Sequence, residues 1–158
     1  MDHIDRDILR RLLANGRMTN ASLAKEVGLS ASATFERHRR LEESGVIQGY
    51  TARVDPKSVG RGLEVFMTFT LKNQNPAEVE RFNQAMLERE EVLDCSQVMG
   101  RFDFIARVAV RDIDELRSFI NEHLIALGCI DRMETQTVLG MIKRNHPPYP
   151  RAEDTPAS

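Results

Sequence analysis

The feature that most constrains this chain is a short apolar segment ending at Val27-Gly28, a three-residue turn Gly28-Leu29-Ser30, and a polar segment that follows at once. Glycine takes the left-handed conformation that stops a helix, and serine caps the next one, so two helices must meet at a tight corner. Such a corner buries its apolar side only against a third helix, and one is available upstream. Asp2 caps a segment in which Ile4, Ile8 and Leu12 recur at helical spacing beside Leu9 and Leu13, closed by Asn15-Gly16. After Arg17-Met18-Thr19, Asn20 is read as the N-cap of a second helix, Ala21 to Val27, that buries Leu23, Ala24 and Val27. The third helix starts after Ser30, with Gly45 beyond its end.

This order is the helix-turn-helix arrangement, whose later helix enters the DNA major groove. In the third helix Thr34, His38 and Leu41 share one face, which should pack on the other two helices; His38 is read there as a core or boundary residue without a function. The opposite surface carries Ser32, Ala33, Glu36, Arg37 and Arg40, with Phe35 and Arg39 on its flank. Arginine can bridge guanine O6 and N7, serine can bond a base or a phosphate, and glutamate can accept from cytosine N4. The expected DNA-binding set is therefore Ser30, Ser32, Ala33, Phe35, Glu36, Arg37 and Arg40. A solvated charged face is the competing reading of the arginines alone. Net charge, −2, does not by itself suggest a nucleic-acid partner, but its distribution permits one. Residues 1–54 hold nine Lys/Arg against seven Asp/Glu, and the remainder is acidic.

Val46 to Val54 is rich in strand formers and is expected to be a connecting strand ended by Asp55-Pro56. Residues 55–62 have linker composition, which divides the chain into a DNA-binding domain, 1–54, the linker, a second domain, 63–142, and a mobile tail, 143–158. In the second domain Leu63, Val65, Met67, Phe69 and Leu71 alternate with less apolar residues, the period of a strand. Asn75, Pro76 and Glu78 open a helix whose buried stripe is Val79, Phe82 and Met86. Val92 to Met99 and Phe102 to Val110 are expected to form a hairpin through Gly100-Arg101. Asp112 and Glu115 open another helix carrying Leu116, Phe119, Ile120, Leu124 and Leu127, and Met133 to Ile142 supplies a last strand. The order βαββαβ predicts an α+β fold: a three-helix (winged) helix-turn-helix domain joined to a ferredoxin-like domain with both helices on one sheet face. Phe66, Ile105 and Ala109 leave the other face partly apolar, and a second copy of the chain is its simplest cover.

Cys95 and Cys129 are not closely spaced and are read as reduced, small packed residues, with a cytoplasmic location. No apolar run approaches the roughly 20 residues that span a bilayer, and Met-Asp-His-Ile-Asp is not a basic-then-apolar leader, so no membrane partner is expected. His3, His38, His123 and His146 form no metal-ligand spacing, and neither a metal nor a cofactor is expected.

With both halves placed, the sequence resembles the Lrp/AsnC (feast/famine) regulators over nearly its whole length. The resemblance rests on Ile4-Asp5-Arg6-Asp7-Ile8-Leu9, Gly16-Arg17, Leu23 through Ser30, Arg37 through Ile47, Gly49-Tyr50-Thr51-Ala52 and Gly100-Arg101-Phe102-Asp103. It implies a transcriptional regulator that is not an enzyme, with a RAM/ACT-like second domain. It also implies a homodimer, assembled into tetramers or octamers, that binds double-stranded DNA and an amino acid or related metabolite. The effector site that the resemblance implies uses Gly100, Arg101, Phe102 and Asp103 with a neighbouring subunit's strand near Thr135 and Thr137. A glycine turn can offer N–H groups to a carboxylate, and an aspartate can hold an ammonium, although by itself the tetrapeptide reads as a hairpin turn. The sequence departs from the family pattern at Phe35 and His38, and at Met99, Phe102 and Cys129, so base preference and effector are this chain's own. Two other readings compete: a tetrapyrrole-processing enzyme of the sirohaem decarboxylase type, which resembles the same architecture, and a ligand sensor whose helices bind protein instead of DNA.

Overall fold

The computed structural model describes residues 1–143, so all but the first residue of the expected mobile tail lies outside the described residues. The described chain forms two compact units, Met1–Arg53 and Val54–Ile142.

The first unit contains α1 (His3–Ala14), α2 (Asn20–Val27) and α3 (Ala31–Glu43). Ile8, Leu12, Leu23 and Leu41 are its buried centre, with Ile4, Leu9, Met18, Val27 and Ile47 packed around them. Asp2 and Asp5 form a reciprocal capping box at the start of α1. Gly28 ends α2 at φ 70°, and Ser30 caps α3 by accepting from the Ala33 N–H. The α2 cap differs from expectation. Thr19 accepts from the Ser22 N–H and is the N-cap, so Asn20 is already helical and its side chain is free for another partner. The connecting strand expected over 46–54 does not form: all strands of the described residues lie in the second unit, and an extended segment with no ladder partner in its own chain is not a strand.

The second unit is a four-stranded antiparallel sheet ordered β2-β3-β1-β4, built from β1 (Leu63–Leu71), β2 (Val92–Gln97), β3 (Phe104–Val110) and β4 (Ile130–Thr137). One face is covered by α4 (Pro76–Leu87) and by α5 (Ile113–Ser118) with its continuation. This is the expected βαββαβ order. Val65, Met67, Phe69, Phe82, Phe104, Val108 and Leu124 are fully or almost fully buried between the layers, each contributing about 1.5–3 kcal/mol of burial. Asn75 and Asp112 cap α4 and α5 as read from the sequence. Cys129 is buried in this core, but Cys95 is exposed, against the expectation that both are packed.

Three boundaries move. The linker expected over 55–62 belongs to the second unit: it carries a 3-10 turn, Lys57–Val59, beside which Asp55 accepts from the N–H and hydroxyl of Ser58, and Arg61 donates to the Ala109 carbonyl at 3.3 Å. β4 starts three residues early and stops at Thr137, because beyond it the Val138 N–H already reaches Glu64 at the start of β1 and the partner strand ends. The long helix expected after Asp112 breaks into α5, a π turn Phe119–Leu124 and a 3-10 turn Ile125–Leu127. Phe119 and Leu124 are five residues apart, and the i→i+5 repeat turns both into the core.

Candidate functional site

The third helix presents the surface expected of it, with one reversal. Ser32, Ala33, Phe35, Glu36 and Arg40 are all exposed, and the Ser30 hydroxyl stands 3.2 Å from that of Ser32. Arg37 does not join them. Its guanidinium turns to the start of α1, where one nitrogen donates to Asp2 at 2.6 Å and to Asp5 at 2.7 Å. The capping box leaves one oxygen of each aspartate pointing outward, and Arg37 closes on both. The sequence reading placed Arg37 on the groove-facing stripe; the nearly buried Asp5 carboxylate wins it for the helix–helix seam.

The other two arginines are also paired. Arg39, placed by the sequence on the flank, is held by Glu36 and Glu43, each at 3.0 Å, and Arg40 lies 3.7 Å from Asp5. The i,i+3 and i,i+4 spacing of Glu36, Arg39 and Glu43 was legible in the sequence; the claim of α1 on Arg37 was not. Asp2 is held near pH 2, below the usual carboxylate range, by the Asp5 N–H and then by Arg37. His38 sits on the inward side as expected, but it is not inert: its ring bonds Asn20 at 2.9 Å and Tyr50 at 2.5 Å.

In the second unit the loop between β2 and β3 bends through Gly100 at φ 155°, a conformation that favours glycine. Asp103 is fixed by both its backbone and its side chain. Its N–H donates to Phe69, its carbonyl accepts from Val98, and its carboxylate accepts from the Leu71 N–H at 2.8 Å and the Gln74 amide at 2.6 Å. Asp103 therefore fastens the loop to the end of β1. Phe102 is half-buried, while Arg101 is largely exposed and donates to Glu134 on β4 at 3.4 Å. Thr135 and Thr137 are exposed and pair with Met67 and Val65, whereas the loop is fastened at Phe69 and Leu71. Within one chain Arg101 thus reaches β4 at Glu134, the neighbour of Thr135. Among the described residues no group of three or more His, Cys, Asp or Glu could hold a metal ion, and no helix is long and apolar enough to cross a membrane.

A capped helix-turn-helix unit followed by a ferredoxin-like unit defines a DNA-binding regulator that carries its own small-molecule module. Comparison with known proteins agrees. Residues 1–48 match the model of a winged helix-turn-helix DNA-binding domain, and residues 64–148 that of the Lrp/AsnC ligand binding domain. The leucine-responsive regulatory protein of Escherichia coli K12 is 38% identical over 146 residues, which cover 92% of this chain and 89% of that protein. That of Klebsiella pneumoniae matches to the same extent, 38% over 146 residues. A transcriptional regulator of Neisseria meningitidis in complex with L-Met superposes with a TM-score of 0.89 at 29% identity, covering 94% of this chain and 96% of that one. An AsnC family transcriptional regulator of Agrobacterium tumefaciens gives a TM-score of 0.85 at 32% identity, with 91% and 94% covered. The chain belongs to the Lrp/AsnC family of DNA-binding transcriptional regulators.

Proposed function

We propose that this regulator binds roughly palindromic DNA sites as a homodimer or an assembly of dimers, and that an amino acid or closely related metabolite changes that binding. The observation that carries the DNA reading is α3 itself: a Ser30-capped helix whose outer surface exposes Ser32, Ala33, Phe35, Glu36 and Arg40. Hydroxyl, carboxylate, guanidinium and ring are the groups that read base edges and thymine methyls.

The second copy is supported by the uncovered face of the sheet. Half-buried Phe66 and Ile105 and buried Ala109 share it with Arg107, whose side chain spans Glu64 at 3.1 Å and Asp94 at 2.6 Å. A matching face of another chain would bury this patch symmetrically. The amino-acid reading rests on the Lrp/AsnC ligand binding module and on the relatives, one leucine-responsive and one bound to L-Met. In it, Gly100 and Arg101 meet the effector carboxylate, and Thr135 and Thr137 of a neighbouring subunit complete the pocket. The effector acts by binding the assembly's states unequally.

Fluorescence anisotropy with DNA from upstream of the protein's own gene, against unrelated competitor, tests this. Binding should survive competitor, weaken with salt, and shift several-fold with at least one amino acid. No binding at any salt concentration would sink the DNA reading, and indifference to every amino acid would sink the effector reading.

A further inference from the structure

Tyr50 lies six residues beyond α3's cap, yet its side chain is tied back onto α3 and the turn after α1 and, through His38, onto the start of α2. Its ring rests on Gly16, in the turn that follows α1, with Cδ1 3.5 Å from where a Gly16 Cβ would stand. Its hydroxyl donates to Glu42 on α3 at 3.0 Å and meets His38 Nε2, also on α3, at 2.5 Å. The other nitrogen of His38 meets Asn20, the first residue of α2, at 2.9 Å. The rings of Tyr50 and His38 are edge to face, 6.2 Å apart. This tie anchors a segment that has no ladder of its own.

The proton arrangement is self-consistent. The Tyr50 O–H goes to Glu42, so the Tyr50 oxygen accepts from His38 Nε2–H. Asn20 presents Oδ1 to Nδ1 as placed, so with the proton on Nε2 the amide turns over and its N–H donates to Nδ1.

We infer that His38 and Tyr50 are positioning residues that latch the segment leaving the recognition helix onto the helix-turn-helix unit, fixing the direction in which the chain departs. Resting on the proposed reading of a dimer on two half-sites, the latch sets how strictly the protein demands one half-site spacing. A recognition helix on a fixed exit reaches only the spacing its dimer dictates, whereas a helix on a loose tether tolerates several.

Two measurements on the full chain test this. Tyr50→Phe keeps the ring on Gly16 and removes both bonds of the hydroxyl; His38→Leu removes the imidazole; His38→Gln keeps an N–H donor near the place of Nε2. Trypsin cleavage after Arg53 should be about fivefold faster in His38→Leu, the factor for Tyr50 losing one ordinary hydrogen bond, and faster still in Tyr50→Phe, which loses two, and His38→Gln should restore the slow rate. Equal cleavage in all four proteins overturns the latch, whatever the DNA result. On duplexes from the protein's own upstream region, lengthening the half-site spacing by about five base pairs, half a helical turn, should weaken the natural protein at least about tenfold. It should weaken Tyr50→Phe much less, with affinity for the unaltered site within about twofold. Equal discrimination by both proteins overturns the role in spacing. Absence of DNA binding by the natural protein, with the cleavage pattern intact, overturns the DNA reading and leaves the latch standing.

Discussion

Replacing Asp103 separates two roles that the sequence could not distinguish. Its carboxylate accepts from the Leu71 N–H at the end of β1 and from the exposed Gln74 amide. A bond to an ionised acceptor contributes about 1.5–3 kcal/mol, and an exposed side-chain contact about 0.5 kcal/mol. Asp103→Ala leaves the Leu71 N–H without its partner, so the second unit should lose about 2–3 kcal/mol, or about 10–20 °C in Tm for a unit of this size. Asp103→Asn keeps one oxygen for Leu71, and the Gln74 amide can turn to present its own oxygen, so most of that stability should return. An ammonium held by Asp103 would feel the missing charge in both variants. Thermal melts by circular dichroism, paired with calorimetric titration of the amino acid that shifts DNA binding, read the two roles separately. The fastening role predicts a large melt shift for alanine and a small one for asparagine. An unshifted alanine melt together with lost amino-acid binding would refute it and return Asp103 to the effector.

Further outcomes follow from the first unit. Ser30→Ala removes the α3 cap and should lower its stability by about 1 kcal/mol in urea melts, and Gly28→Ala should lose about 1 kcal/mol through its left-handed backbone alone, since no atom crowds the site. Thr34 is fully buried, and among the described residues its hydroxyl has no partner, so Thr34→Val should leave stability unchanged or raise it by up to about 1 kcal/mol. Asp2 is depressed in the folded chain from 3.8 to about 2, so its contribution is complete above pH 4 and is lost as pH falls towards 2; Arg37→Ala should flatten that acid limb in melts followed against pH. Arg40→Ala should weaken DNA binding and lower the log–log salt slope by about 1, whereas Arg37→Ala should act mainly on stability.

The order of elements was legible wherever a residue marks the end or the start of a helix, Gly28 ending α2 and Ser30, Asn75 and Asp112 beginning α3, α4 and α5. The fold class needed only that punctuation and the alternation in β1. What escaped depends on partners distant in sequence. Asp131, Arg132, Glu134 and Gln136 show no alternation because β4 is an edge strand, so its start was invisible and its apolar sequel was taken for the strand. Thr19 and Asn20 are both good caps, and only the His38 ring shows why Asn20 is employed elsewhere. The inward turn of Arg37 is set by Asp5, thirty-two residues away along the chain. For the effector set, Asp103 could be named from the sequence but its bond to Leu71 could not, since a loop residue carries no periodic mark of what it touches.

The pairing of every α3 arginine bears on how the protein lives among DNA it does not regulate. Arg37, Arg39 and Arg40 each face a carboxylate of their own unit before any phosphate arrives. In the proposed docking, Arg39 and Arg40 would exchange a carboxylate for a phosphate: the duplex still sheds its counterions, but each freed carboxylate attracts a cation, so the net release is smaller than bare arginines would give. Random sequence offers little in that exchange, while a site that also engages Ser32, Phe35 and Glu36 offers more. When the helix lifts away, Glu36, Glu43 and Asp5 are at hand to take the arginines back, while the bared phosphates recondense cations from solution.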